Sequence, residues 1–245
     1  MTSQQESMFS PETGYADLAA AGQALSPLDG RYRLHTQELT QYLSEAALNR
    51  TRIYVEIEWM IELLRRGVIA HAPLLSDAEV DYLRALPREF NADSIAELAH
   101  IEAETRHDVK AVEYYIDNRL EEARSLFGPD TVLPQLRPLV HIFATSEDIN
   151  NLAHALNIQA AIRQVWLPRA RGLLARLLEL AEAGAGIPML ARTHGQPATP
   201  VTIGKELAVF VYRLSRQISR IEDTEYLGKM NGATGTWAAH RVALP

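Results

Sequence analysis

The sequence predicts an all-α protein, and three observations support this prediction. Apolar residues recur at the three- and four-residue spacing of a helix almost everywhere after His35. The sequence contains no convincing run of alternating apolar and polar residues bounded by hairpin turns. Of its 245 residues, 47% are hydrophobic, which is enough to bury a sizeable core as one large domain or two smaller ones.

The first half of the chain predicts helices of moderate length. Apolar residues form a broad stripe over 36–66, which predicts a long helix, broken at most once and ended by Gly67. A second stripe over 109–120 predicts another helix, which Asp108 can cap. Glycine and proline residues then interrupt any helix over 128–138 and indicate a domain boundary.

Two capping boxes predict two short helices between those stripes. Ser76 with Glu79, and Ser94 with Glu97, each place a hydroxyl and a carboxylate three residues apart. In this motif each side chain satisfies a backbone N–H group that the helix leaves unpaired. We therefore expect one helix to start at Ser76 and another at Ser94.

The second half predicts fewer and longer helices. The pattern over 146–183 describes a helix far above average length that Pro168 should kink, and a second such helix runs over 202–226. Two long helices cannot bury both their faces alone, so we expect further chain or other subunits to cover them. The predicted division is a flexible extension over 1–24, an N-terminal helical domain over 25–137, and the start of a long-helix bundle over 138–245.

Composition excludes several classes of protein and site. The net charge is −7 and the 24 lysine and arginine residues are scattered, which argues against a nucleic-acid surface. The absence of cysteine excludes disulfides, thiolate metal sites and cysteine nucleophiles. No stretch approaches the roughly 20 apolar residues of a membrane span, and no signal peptide is recognisable, so we expect a soluble cytoplasmic protein. We expect no metal either, because His100, His141 and His154 lack zinc-ligand spacing and are predicted to be packing or surface residues.

The most informative candidate is His194, in the polar segment 191–200, which Gly195 and two prolines punctuate. A histidine titrates near neutral pH, so it can hold or release a proton on demand. Neighbouring hydroxyl and amide groups, that of Thr193 among them, can fix the tautomer of its imidazole. We expect a rigid, non-helical elbow that presents a catalytic acid. The alternative is a loop histidine that only caps a helix.

Arg31 and Tyr32 follow a tight turn and offer a guanidinium and a phenol to a phosphate. The alternative is an ordinary Asp-Gly turn followed by surface residues. The Gly-rich stretch over 228–235 lacks the strand and the terminal Lys-Ser/Thr of a phosphate loop. It is predicted to be a connecting loop.

Two predicted helix starts carry further groups suited to anions. Arg106, His107 and Asp108 set a cation, an imidazole and a carboxylate at the first start. Thr145 and Ser146 set two hydroxyls at the second. Backbone N–H groups at a helix start also favour an anion, although simple capping explains both segments as well.

In this order along one cysteine-free helical chain, the segments resemble the longer bacterial type of adenylosuccinate lyase. That family belongs to the fumarase and aspartase superfamily, whose members form homotetramers around a bundle of long helices. The matching stretches are SPLDGRY at 26–32, RHDVKAVEYY at 106–115, TSEDINNLAHAL at 145–156, RTHGQPATP at 192–200 and TIGKE at 202–206.

The resemblance implies a lyase that releases fumarate by β-elimination. Its substrates would be adenylosuccinate, which gives AMP, and the succinylated aminoimidazole carboxamide ribotide of purine synthesis. It implies no cofactor, and a homotetramer in which each active site draws on three subunits. The elimination needs a base beside a carboxylate, donors for a dianionic intermediate, and an acid for the departing nitrogen.

The resemblance also implies roles for the candidate residues. His194 would be the acid, with His107 as its rival for a proton-transfer role. The substrate-binding residues would be Arg31 and Tyr32 at the phosphate, Arg106, His107 and Asp108 in the nucleotide pocket, Thr145 and Ser146 at the succinyl part, and Thr193 beside the acid.

The sequence departs from the family pattern in one serious way. It ends at Pro245, and the mobile signature loop of the family, roughly S-S-x-M-P-x-K-x-N-P, is absent from it. In the family that loop supplies the serine that acts as general base and a lysine that helps to hold substrate. We therefore expect an incomplete fragment with very little activity of its own. The alternative is a non-enzymatic helical assembly protein that kept the fold and lost the reaction.

Overall fold

The computed structural model describes residues 27–30 and 32–244, so the predicted extension over 1–24 lies outside the described residues. The described chain is mainly helical, as predicted. Its helices are α1 (Arg33–Thr36), α2 (Thr40–Leu43), α3 (Glu45–Arg65), α4 (Asp77–Arg88), α5 (Ala92–Thr105), α6 (Asp108–Phe127), α7 (Ser146–Ala161), α8 (Leu167–Ala183), α9 (Ile203–Glu222) and α10 (Ala238–Ala243). Tighter 3₁₀ turns span Pro27–Asp29, Gln37–Leu39 and Leu133–Leu139, and a wider π-helical turn spans Ile162–Trp166.

Two strands interrupt the helical pattern, and the sequence analysis missed them. β1 (Pro188–Thr193) and β2 (Gln196–Thr202) pair antiparallel as a hairpin. This hairpin occupies most of the segment that was predicted to be an elbow without regular structure. Most of its residues are exposed, so the strands lack the buried face that makes apolar and polar residues alternate.

The described residues form two compact units. The first unit contains the residues up to Ala160 together with those from Leu227 onward, and the second contains Ala161–Tyr226. The predicted domains over 25–137 and 138–245 stay a prediction. None of the described helices combines the length and the apolarity that crossing a bilayer requires.

The long helix α3 contributes much of the core of the first unit. It begins after Ser44, whose hydroxyl accepts from the N–H of Ala47 at 3.1 Å, and the predicted helix over 36–66 breaks at this cap. Gly67 follows its end with a φ of +62°, a left-handed conformation that favours glycine. The largest fully buried side chains of the core around α3 are Ile53, Ile57, Met60, Ile61, Leu83, Phe90, Ile116, Leu120, Leu133 and Leu136.

One of the two predicted capping boxes is present. Ser76 and Glu79 exchange both hydrogen bonds of the motif at the start of α4. The prediction that the next helix starts at Ser94 is wrong. The cap of α5 is Asn91, because its amide oxygen accepts from two backbone N–H groups of the first turn.

The second unit contains two long helices and the hairpin between them. Leu167 and Ala170 of α8 pack against Ile218 of α9. The π-helical turn precedes α8 where the sequence predicts a kink, because Pro168 has no N–H to donate to the carbonyl four residues earlier. Thr202 caps α9 by accepting from the N–H of Lys205 at 3.1 Å.

Candidate functional site

The chain turns sharply between α5 and α6, at two of the predicted site residues. Arg106 ends α5 with a left-handed φ of +53°. His107 then caps α6, because its Nδ1 accepts from the N–H of Lys110 at 3.2 Å. The prediction that Asp108 is the cap is therefore wrong. Arg106 and His107 are both exposed, so their side chains are available to a ligand.

Asp108, the first residue of α6, is held from inside the unit by Arg52 of α3. Nη2 of Arg52 lies 2.5 Å from Oδ2 of Asp108, and the Arg52 side chain is only 5% exposed. Burial raises the pKa of the Asp108 carboxyl, but the N–H of Val109 and the charge of Arg52 outweigh it and hold that pKa below its ordinary value. The carboxylate is therefore ionised near neutral pH.

Arg52 also reaches α7. Its Nε donates to Oδ1 of Asn150 at 2.9 Å, and its Nη1 donates to Oδ1 of Asn49 at 2.8 Å. One guanidinium thus joins α3 to the start of α6 and to α7.

The start of α7 is fixed by Asp148, which has no solvent exposure. Its carboxylate accepts from the backbone N–H of Thr145 at 3.0 Å and from those of Asn231 and Gly232 at 3.1 and 3.0 Å. Nζ of Lys229 lies 2.8 Å from Oδ1. Burial raises the pKa of Asp148, but these donors outweigh it and hold that pKa below its ordinary value.

The Gly-rich segment is therefore part of this site as well as a connecting loop. Asn151 strengthens the contact, since its side chain accepts from the N–H of Lys229 at 2.7 Å and donates to the Lys229 carbonyl at 3.1 Å. Thr145 and Ser146 are half-buried beside this network. The carboxylate of Asp148 is fully engaged by these donors.

Sequence reasoning missed an ion pair between Glu56 and His141. Nδ1 of His141 lies 2.5 Å from Oε1 of Glu56, a side chain that is 1% exposed, and Nε2 lies 3.9 Å from Oε1 of Glu113. Burial lowers the pKa of His141, but the hydrogen bond and charge of Glu56 outweigh it and raise that pKa. Burial raises the pKa of Glu56 more than His141 lowers it. The available signal was a carboxylate inside the apolar stripe of α3.

His194 occupies the tip of the hairpin in the second unit. His194 and Gly195 are the two central residues of the turn, with φ values of +49° and +76°, and Thr193 pairs with Gln196 on either side of them. Two successive positive φ values are typical of the type I′ turn that suits a two-residue hairpin. The turn exposes both Thr193 and His194. The structure thus replaces the predicted elbow with a hairpin turn and keeps His194 at its apex.

The remaining candidates lie at the start of the described chain. Arg31 lies outside the described residues. Tyr32 directly precedes α1 and is 50% exposed. Of the predicted site residues, Asp108 belongs to the Arg52 network of the first unit and Thr145 to its Asp148 network, whereas Thr193 and His194 belong to the second unit.

The chain is similar to known enzymes over most of its length. A family model described as Lyase matches residues 30–245. The chain is 41% identical over 222 residues to an adenylosuccinate lyase of Haemophilus influenzae, and this alignment covers 91% of the chain and 47% of the relative. It is 40% identical to the adenylosuccinate lyases of Escherichia coli and Vibrio cholerae, with the same coverage. The chain thus spans about half the length of the curated relatives it matches.

Solved structures agree on the fold. A fumarate lyase from Mesorhizobium sp. BNC1 superposes with a TM-score of 0.65 at 21% identity, covering 82% of this chain and 44% of that one. The β-carboxy-cis,cis-muconate cycloisomerase of Acinetobacter calcoaceticus sp. ADP1 gives a TM-score of 0.65 at 20% identity, covering 84% and 45%. At such low identities these two likenesses support the fold alone. The family match, in contrast, extends over residues 30–245, which is most of the chain. The chain therefore belongs to the lyase family.

Proposed function

We propose that this chain is part of an adenylosuccinate lyase, an enzyme that releases fumarate from adenylosuccinate to give AMP. The same elimination from the succinylated aminoimidazole carboxamide ribotide would be its second reaction. The observation that carries the proposal is the identity of about 40% to adenylosuccinate lyases across 91% of the chain. No comparison favours the alternative of a non-enzymatic assembly protein.

The reaction breaks the bond between a carbon of the succinyl group and the purine nitrogen. A base removes a proton from the carbon beside the carboxylate, the electron pair forms the double bond of fumarate, and the departing nitrogen takes a proton. His194, exposed on a turn, is the proposed acid for that nitrogen. Because Nδ1 of His107 accepts a backbone hydrogen bond, its Nε2 is the nitrogen that faces substrate.

The helix starts beside the Arg52 and Asp148 networks of the first unit would bind the anionic parts of the substrate. Thr145 and Ser146 stand at the start of α7, where backbone N–H groups favour a carboxylate of the succinyl part. Two carboxylates of the first unit, those of Asp108 and Asp148, are already paired with Arg52 and Lys229. Their charges are therefore compensated within the protein and repel an anionic substrate less.

Arg31 and Tyr32 are the proposed phosphate ligands, with Arg106 and Thr193 as further substrate contacts. The resemblance assigns the base to a serine of the signature loop, which these 245 residues do not contain. On this proposal, the loop must be supplied before the reaction proceeds. The proposed reaction needs no cofactor.

We further propose that the working enzyme is a cytoplasmic homotetramer. Large apolar side chains remain exposed on the helices of the second unit: Leu173 is 55% exposed, Phe210 is 58% exposed and Tyr212 is 64% exposed. Exposed apolar surface of this kind is usually covered by a partner. A second copy of the chain is the partner that the homotetramer would provide.

The test compares two preparations for fumarate release from adenylosuccinate. One is the 245-residue chain, and the other is that chain fused to the remaining half of the Escherichia coli relative. We expect release by the fusion and almost none by the chain alone. His194→Ala should abolish release by the fusion, whereas His100→Ala, which changes an exposed surface histidine, should not.

Two results would contradict parts of this proposal. A folded tetrameric fusion that leaves adenylosuccinate intact would refute the assigned reaction. Release by the chain alone, lost in His194→Ala, would show that the signature loop is dispensable.

A further inference from the structure

Asp108 lies between two groups that compete for its carboxylate. Its Oδ2 is 2.5 Å from Nη2 of Arg52. Its Oδ1 is 3.6 Å from Nδ1 of His107, which is too far for a hydrogen bond. The structure therefore shows Asp108 held by the arginine and separated from the imidazole of its neighbour.

Nδ1 of His107 has another partner, the backbone N–H of Lys110 at 3.2 Å. A ring nitrogen that accepts a hydrogen bond carries no proton, so the neutral imidazole has its proton on Nε2. If Asp108 were released, its carboxylate would be the stronger acceptor and would favour a proton on Nδ1. The position of one carboxylate thus decides between two tautomers.

Arg52 is built to hold that carboxylate in place. Its side chain is 5% exposed, and its other donors are fixed by Asn49 at 2.8 Å and by Asn150 at 2.9 Å. A guanidinium with three partners in a planar arrangement has little freedom to follow a moving carboxylate. Its geometry therefore favours one position of Asp108.

We propose that Arg52 is a positioning residue that fixes the tautomer of His107 by withholding Asp108 from its Nδ1. His107 then presents Nε2–H, a hydrogen-bond donor, to an anionic ligand. That this ligand is the succinylated nucleotide rests on the proposed function, whereas the tautomer itself does not. In this state a neutral His107 can donate a hydrogen bond at Nε2 and cannot act there as a base, which leaves it a binding role.

The first test observes the unsubstituted chain and needs no substrate. The full chain is labelled with ¹⁵N-histidine, and long-range ¹H–¹⁵N spectra report which ring nitrogen of neutral His107 carries the proton. His107→Gln identifies its signals among those of the eight histidines. We expect protonated Nε2 and unprotonated Nδ1. A proton on Nδ1 in the unsubstituted chain would overturn the proposal outright.

Substitutions then test the part played by Arg52. Arg52→Met frees Asp108 and should switch His107 to the Nδ1–H tautomer, whereas Arg52→Lys keeps a cation for Asp108 and should retain Nε2–H. Adding Asp108→Asn to Arg52→Met should restore Nε2–H. A folded Arg52→Met chain with an unchanged tautomer would refute the proposal.

The matched control is Arg84→Met. Arg84 makes two hydrogen bonds to Glu58, at 2.6 and 2.8 Å, and its loss removes a comparable ion pair from α3. It should leave the tautomer of His107 unchanged. If Arg52→Met fails to fold, Asp108→Asn alone decides: the proposal requires it to keep Nε2–H, and a switch to Nδ1–H would contradict it.

Steady-state kinetics of the fusion distinguish a failure of this inference from a failure of the proposed function. In the fusion, Arg52→Met should raise KM roughly tenfold or more with a smaller change in kcat, as expected for one lost hydrogen bond to a charged group. Equal effects of Arg52→Met and Arg52→Lys on KM would count against the tautomer as the cause. A fusion that cleaves no adenylosuccinate would refute the proposed function and leave the tautomer result standing.

Discussion

Nζ of Lys229 lies 2.8 Å from Oδ1 of Asp148, and this ion pair joins the Gly-rich loop to the first turn of α7. Lys229 is partly exposed, whereas the carboxylate has no exposure at all. The backbone N–H groups of Asn231 and Gly232 complete the same contact. The loop is thereby fixed beside Thr145, at the proposed site for the succinyl part.

Lys229→Met should loosen this loop. The charge of Asp148 would stay buried without its cation, and the loss of one hydrogen bond to a charged group costs about 2 kcal/mol. We expect that loss in the free energy of unfolding, measured by urea denaturation. Hydrogen exchange at the amides of Asn231 and Gly232 should accelerate in the same variant, because their acceptor loses its anchor.

Lys205→Met is the matched control for that substitution. Lys205 also pairs with a carboxylate at 2.8 Å, that of Glu206, but both side chains are exposed. An exposed pair contributes little, so the control should change stability by no more than about 0.5 kcal/mol. Equal losses in the two variants would show that burial of Asp148 has no special importance.

The pair of Glu56 and His141 should give the stability a distinct pH dependence. The pKa of His141 is raised in the folded state, so His141 binds a proton more readily there than in the unfolded chain. The resulting stability is fully present below the ordinary histidine pKa of about 6.5. It is lost as the pH rises through the raised pKa of His141.

Glu56→Gln should remove this pH dependence, because it removes the charge that raises the pKa of His141. Urea denaturation from pH 6 to pH 9 checks the expectation. The control is Glu104→Gln, which changes an exposed carboxylate 3.5 Å from His100. Its free energy of unfolding should change with pH as that of the unsubstituted chain does. If the free energy of unfolding of Glu56→Gln keeps the same pH dependence, that dependence does not come from the pair of Glu56 and His141.

Local sequence signals predicted a helix start where tertiary contacts leave the capping atoms available. Ser76 and Glu79 form their capping box because Oε2 of Glu79 accepts from the N–H of Ser76, while Oε1 accepts from Thr131 and Val132. Ser94 and Glu97 have the same spacing, but Tyr115 donates to the hydroxyl of Ser94 and Arg119 pairs with Glu97. The second motif therefore failed through contacts with α6 that no local pattern reveals.

The residues of the candidate site also divide into those that local sequence patterns predict and those that they do not. Histidine, arginine and hydroxyl groups near turns and helix starts were recognisable from residue type. Arg52, by contrast, acts across 56 residues to Asp108, and Glu56 across 85 residues to His141. Periodicity marks these two only as polar positions on an apolar helix. Their partners depend on how helices pack.

The hairpin turn at His194 allows a last prediction about backbone conformation. Gly195 has a φ of +76°, and a Cβ added there would meet nothing within 4 Å. The cost of Gly195→Ala is therefore conformational, about 1 kcal/mol for an L residue in the left-handed region. We expect that loss in the free energy of unfolding, together with slower fumarate release by the fusion, because the turn that presents His194 is distorted.

Gly172→Ala separates this effect from the general effect of adding a methyl group. Gly172 lies within α8, where a Cβ also meets nothing within 4 Å but the backbone is helical. Alanine favours a helix over glycine by about 1 kcal/mol, so this variant should gain stability and keep the activity of the fusion. An added Cβ has open space at both glycines. A loss of stability in Gly195→Ala and a gain in Gly172→Ala would therefore identify the left-handed turn as the cause of the loss. A gain in stability at both positions would mean that residue 195 adopts another conformation in solution.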